Sequence, residues 1–243
     1  MLDRNRCGTM TELTVQGRKI SIYGKAQAGV PAVYLNAGQG EGSAVWEQCR
    51  RVGCPAFTLV AVSDIRWYHD MSPWQAPPIA KGGEACTGGA ESYLALLVGE
   101  IIPVVEEALG GRPEYNALAG YSLAGLFAVY AAYHTDVFVR IASASGSFWF
   151  PDFVDYAKEH EMRRVPEKMY FSLGDREAHT KNSYLSSVEE RTKQLYAYYS
   201  RQGILTAFVL NQGNHFREPD RRMADGIRWI LEGTEGGHGN GEN

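Results

Sequence analysis

The stretch Gly120-Tyr121-Ser122-Leu123-Ala124-Gly125 constrains the fold of this chain more than any other. Before it lies Tyr115-Asn116-Ala117-Leu118-Ala119, short and apolar enough for a buried strand. After it, Leu123 to Tyr133 is rich in Ala and Leu and long enough for a helix. A sharp strand-to-helix turn lifts the serine above the sheet edge, over a helix N-terminus whose N–H groups face developing negative charge. Strand and helix backbones approach closely at such a turn, so small residues are needed around the serine. Gly120 and Ala124 supply them in the pattern G-x-S-x-G, with Ala in place of the second Gly. The alternative is a serine that only caps the helix.

Chain order supports the nucleophile. The pattern calls for a serine, then an acid, then a histidine, each in a loop after a strand. Lys168-Met169-Tyr170-Phe171-Ser172-Leu173 reads as a strand that ends in Gly174-Asp175-Arg176-Glu177. Thr206-Ala207-Phe208-Val209-Leu210 reads as another, followed by Asn211-Gln212-Gly213-Asn214-His215-Phe216.

The remaining elements point to an α/β fold, a mostly parallel sheet of about eight strands with helices on both faces. Residues 11–24 alternate in hydrophobicity about Gln16-Gly17, a hairpin. Strands are expected from Val30 to Leu35 and Ala56 to Val62, with a helix from Ala44 to Val52 between them. Another strand is expected from Val139 to Ala144. Helices are expected from Glu91 to Leu109, kinked at Pro103, and over Phe153 to Glu161, Tyr184 to Arg201 and Asp220 to Leu231. A polar, aromatic loop without structure of its own is expected over 63–89, lid-like, with Trp67 and Trp74 as lid contacts. Residues 1–231 are expected to form one domain, and 232–243, with five glycines, a disordered tail.

Of six histidines, His215 fits the base position, in a Gly- and Asn-rich turn after the last strand. His179, beside the acid turn, is its competitor. His134 is placed to cap its helix, and His69 lies in the aromatic loop. Asp175 and Glu177 are both within reach of the histidine, and the residues alone leave the acid open. A serine hydroxyl needs such a base, an acid to orient it, and N–H donors for the oxyanion.

The three stretches around Ser122, Glu177 and His215 resemble the putative esterase family of α/β-hydrolases. That group includes bacterial siderophore esterases, feruloyl esterases, S-formylglutathione hydrolase and the mycolyltransferases. The resemblance runs from about Val30 to Leu231 and implies the α/β-hydrolase fold. It also implies cleavage of a small-molecule carboxylic ester through an acyl-enzyme; the motifs are not specific for one substrate, and an aryl or siderophore-type ester is the candidate. Family members place the acid in a Gly-x-x-Asp/Glu arrangement, which selects Glu177, with Asp175 as the alternative. The family's oxyanion loop follows the third strand, here Leu35-Asn36-Ala37-Gly38-Gln39-Gly40, with Ala37 where a histidine is usual. The implied donors are the N–H groups of Leu123 and Gln39. Tyr121 and Trp149 are the expected substrate contacts. Acyl transfer, or a ligand-binding protein without catalysis, is possible on the same scaffold.

Other chemistries lack a signature. No metal-ligand spacing and no G-x-G-x-x-G after a strand is present, so neither a metal nor a cofactor is expected. With 24 basic and 28 acidic residues interspersed, no basic stripe points to nucleic acid. No apolar run reaches the roughly 18 residues of a membrane span. The absence of a signal-peptide pattern and the irregular spacing of Cys7, Cys49, Cys54 and Cys86 lead to the expectation of a cytoplasmic protein with reduced thiols. Lys81, Arg176 and Arg217 are candidates to receive an anionic substrate group.

Overall fold

The computed structural model describes residues 11–24, 28–38, 40–79 and 81–233. Strands β1 (Thr11–Val15) and β2 (Arg18–Tyr23) form the expected hairpin. Gln16 and Gly17 both have positive φ, as a two-residue hairpin turn of matching twist requires. Then follow β3 (Ala32–Asn36), α1 (Glu41–Val52), β4 (Thr58–Ser63), α2 (Trp67–Asp70), β5 (Gln75–Ala76) and β6 (Cys86–Thr87). The middle of the chain supplies α3 (Ala90–Leu96), α4 (Ile102–Ala108), β7 (Asn116–Tyr121), α5 (Leu123–His134) and β8 (Phe138–Ala144). It closes with α6 (Phe153–Glu159), β9 (Lys168–Gly174), α7 (Val188–Arg201), β10 (Leu205–Asn211) and α8 (Pro219–Leu231).

Eight strands form one sheet in the order β1-β2-β4-β3-β7-β8-β9-β10. β2 pairs antiparallel with β1 and β4, and every other pairing is parallel. Alternate strand residues face opposite layers. Val33, Leu35, Ala117 and Ala119 pack under α1 and α8, while Tyr34, Leu118, Ile141 and Phe171 pack under α3 to α7. Both faces are covered, which is why these strands are near-continuous apolar runs. Helix α5 is buried from Leu123 to Tyr133 and therefore has no polar face.

Two expectations need amending. The helix before β7 is not one kinked rod: a π-helical turn at Leu97–Ile101 separates α3 from α4. Pro103 has no N–H to give, and the chain relaxes just before it, with the Ile102 N–H donating to the Leu97 carbonyl five residues back. The loop over 63–89 also carries structure. Its α2 turn is anchored by Asp70, fully buried and paired with Arg18 at 2.6 Å and Arg66 at 3.0 Å, and β5 and β6 form a small hairpin. The expected tail falls, from Thr234 on, outside the described residues. Among the described residues no helix is long and apolar enough to cross a membrane.

Candidate active site

β7 ends one residue before Ser122, and the turn into α5 forces that serine to φ 58° and ψ −124°, a conformation L residues rarely hold. Hydrogen bonds on both sides hold it there. The Ser122 N–H donates to the Ala144 carbonyl (3.1 Å), and its own carbonyl accepts from Ser147, Gly125 and Leu126. A methyl group on Gly120 would lie 2.2 Å from the Ala124 carbonyl oxygen, and one on Gly125 only 2.8 Å from Ser143 Oγ. The close approaches thus fall at Gly120 and Gly125, which leaves room for alanine at 124. The Leu123 N–H begins α5 and belongs to the set that a helix leaves without internal acceptors. Gln39 lies outside the described residues.

His215 follows β10 and faces the serine, with Nε2 3.1 Å from Ser122 Oγ. Its Nδ1 is 2.7 Å from Glu177 Oε2. Ser122, His215 and Glu177, three residues far apart in sequence, form one hydrogen-bonded chain. A carboxylate on Nδ1–H fixes the tautomer that leaves Nε2 free to accept the serine proton. Glu177 is held closely: its Oε1 accepts from the Gly174 N–H (2.6 Å), Ser145 Oγ (2.7 Å) and the Arg222 guanidinium (3.1 Å). Burial pushes its pKa up, but hydrogen bonds from His215, Ser145 and Gly174 and the electrostatic attraction of the imidazole ring outweigh burial and hold the carboxyl below its usual range.

Asp175 does not reach the histidine. Its Oδ1 accepts the Gly213 N–H at 2.7 Å, while its own N–H donates to the Asn211 carbonyl, tying the acid turn to the histidine turn. His179 is exposed and outside this chain of contacts. His134 sits in the last turn of α5 and bonds Tyr156 Oη at 3.0 Å, and burial lowers its pKa. His69 bonds Thr87 Oγ1 and braces the small hairpin.

The profile of the family described as "Putative esterase" matches residues 12–208. The chain belongs to this esterase family. YbbA of Bacillus subtilis (strain 168), an uncharacterized protein, is 22% identical over 208 residues, 81% of this chain and 83% of that one. Two solved structures share the fold. Siderophore hydrolase EstA from Aspergillus nidulans has a TM-score of 0.72 at 18% identity, over 93% of this chain and 94% of its own. An IroE-like serine hydrolase from Shewanella oneidensis has a TM-score of 0.73 at 17% identity, over 92% of this chain and 80% of its own. The expected α/β-hydrolase fold and family are therefore borne out.

The esterase opens onto a cavity of about 490 Å3 that reaches Ser122, His215 and Glu177. Trp67, Tyr68 and Trp149 contribute aromatic wall, Phe216 forms the exposed rim, and Tyr121 also borders the space. The Tyr121 hydroxyl donates to the His215 carbonyl at 2.7 Å, so this side chain also positions the histidine turn. Trp74 is not in the cavity; it packs against Phe150, Phe153 and Tyr156 in the core. None of Lys81, Arg176 and Arg217 lines it. Among the described residues no group of three or more His, Cys, Asp or Glu side chains is placed to hold a metal ion.

Arg222 and Ser145, both bonded to Glu177, are absent from the residues expected from the sequence, and Arg222 is the charged one. Its side chain is 3% exposed against 4% for Glu177, and it also donates to the Gln212 carbonyl. The available signal was its register, since Arg222, Gly226 and Ile230 are successive i, i+4 positions on the buried face of α8. Removing one partner leaves the other charge buried and uncompensated. Arg222→Leu is expected to cost about 3–5 kcal/mol of stability, read as a lower midpoint in urea. A midpoint within error of wild type would show that the pair carries no such load.

Proposed function

We propose that this esterase cleaves small carboxylic esters in two steps through an acyl-enzyme on Ser122. His215 takes the serine proton as Oγ attacks the carbonyl, and returns it to the leaving alcohol. It then deprotonates the water that releases the acid. Glu177 orients the imidazole and balances its charge. The Leu123 N–H faces the oxyanion, with Gln39 proposed as the second donor. The observation that carries this reading is the unbroken hydrogen-bonded chain Glu177–His215–Ser122 at the floor of a cavity. The aromatic wall, including the Tyr121 and Trp149 side chains proposed as substrate contacts, suits an aryl or siderophore-type ester, and EstA is by name a siderophore hydrolase.

A panel of p-nitrophenyl and hydroxy-acid esters assayed under pre-steady-state conditions tests the two-step route. The expected result is a burst of alcohol approaching one equivalent of enzyme for the fastest-acylating ester. Ester turnover that persists undiminished in Ser122→Ala would refute the proposal.

A further inference from the structure

The cavity holds two carboxylates that the proposed chemistry does not use. Asp220 is the second residue of α8 and lies five residues beyond His215; Glu41 is the first residue of α1. Both line the cavity. Glu41 keeps one oxygen on the Gly38 N–H at 2.6 Å. Asp220 is half-buried and, among the described residues, has no hydrogen-bond or ion-pair partner. Burial and the Glu41 charge both raise its pKa, so the two acids are close enough to repel.

Among the described residues no Lys or Arg side chain lines the cavity. The arginines nearest Asp220 in sequence are engaged elsewhere, Arg221 with Asp225, Arg222 with Glu177 and Arg217 with Glu218. Two like charges lining one cavity, Asp220 half-buried and Glu41 exposed, are unfavourable until a positive group enters. The aromatic faces of Trp67, Tyr68 and Trp149 and the Phe216 rim offer the complementary environment for such a group, because an ammonium is attracted to a ring face.

We propose that the site selects esters whose alcohol portion carries a cationic group, with Asp220 and Glu41 as its specificity determinants. The choice of the alcohol side rests on the proposed role of His215: the leaving alcohol takes its proton from that histidine, and Asp220 belongs to the segment that continues from it. Anionic esters are disfavoured by the same wall.

Three matched butyrate esters test this: the choline ester, its neutral isostere 3,3-dimethylbutyl butyrate, and the anionic 2-sulfoethyl ester. With wild type, kcat/KM should rank cation, neutral, anion, with the first two separated at least about fivefold through KM, the scale of two partly exposed charges. The separation should shrink with added salt. In Asp220→Asn/Glu41→Gln the cation-to-neutral ratio should fall to about one. If the acids served only the helix N-termini, the double variant would melt earlier with that ratio unchanged, and the proposal would fall. Equal rates for the choline and neutral esters, or a faster sulfonate, would also overturn it. Binding of the choline and neutral esters to Ser122→Ala gives a readout independent of turnover. Tighter cation binding without wild-type hydrolysis would leave the selectivity standing and remove the esterase mechanism, whereas equal binding would remove the selectivity.

Discussion

Replacing Ser122 with alanine is expected to lower kcat by at least about 10^4-fold on any ester the protein turns over, with KM little changed. The cavity is already shaped around the serine, whose backbone is fixed by four hydrogen bonds, so loss of Oγ removes the proposed nucleophile without removing the cavity wall. In the proposed mechanism, the activity that survives would come from the Leu123 N–H and the cavity acting on attack by water. The turn itself should tolerate the change, since among the described residues Ser122 Oγ hydrogen-bonds only His215 Nε2 and, at 3.3 Å, Ser147 Oγ. Stopped assays with wild type and variant at matched concentration, with melting curves to confirm folding, decide the point. A loss below tenfold would mean that another group attacks.

The second large effect concerns the acid. Glu177→Gln keeps the shape of the side chain but offers an amide where the imidazole N–H needs an acceptor of full negative charge. The amide also meets the Gly174 N–H, Ser145 and Arg222, all set up to donate. The tautomer that leaves Nε2 free is then no longer enforced, and a fall in kcat of about 10^3 to 10^4-fold is expected. Asp175→Asn should stay within about tenfold of wild type, roughly 1.4 kcal/mol of barrier, because Asp175 contacts the Gly213 N–H and not the imidazole. The reverse ranking would transfer the acid role to Asp175.

The parts of the site that are local in sequence were legible in it. Ser122, Glu177 and His215 each stand in a short turn immediately after an apolar run, and such a turn announces itself through Gly and polar residues whatever packs around it. The parallel sheet was legible for a related reason, since strands covered on both faces must be apolar throughout. What stayed hidden is made by meetings across the fold. Arg222 lies 45 residues from Glu177, and only the register of α8 against the sheet makes them neighbours. Whether Trp74 covers the cavity or fills the core depends on where α6 lies, which no local pattern states. The hairpin of β5 and β6 is two residues per strand, too short for any periodicity to register. The acidic wall at Glu41 and Asp220 arises because two helix N-termini converge on one cavity, although each acid alone reads as an ordinary first-turn carboxylate.

Covalent trapping tests most directly whether Ser122 bears the reacting atom. A fluorophosphonate incubated with the protein, followed by intact-mass and peptide mass spectrometry, should give a single adduct on the peptide that contains Ser122. Its appearance should parallel the loss of ester turnover, and Ser122→Ala should take up none. An adduct on a different residue that abolishes turnover, or full esterase activity in protein modified at Ser122, would contradict the account.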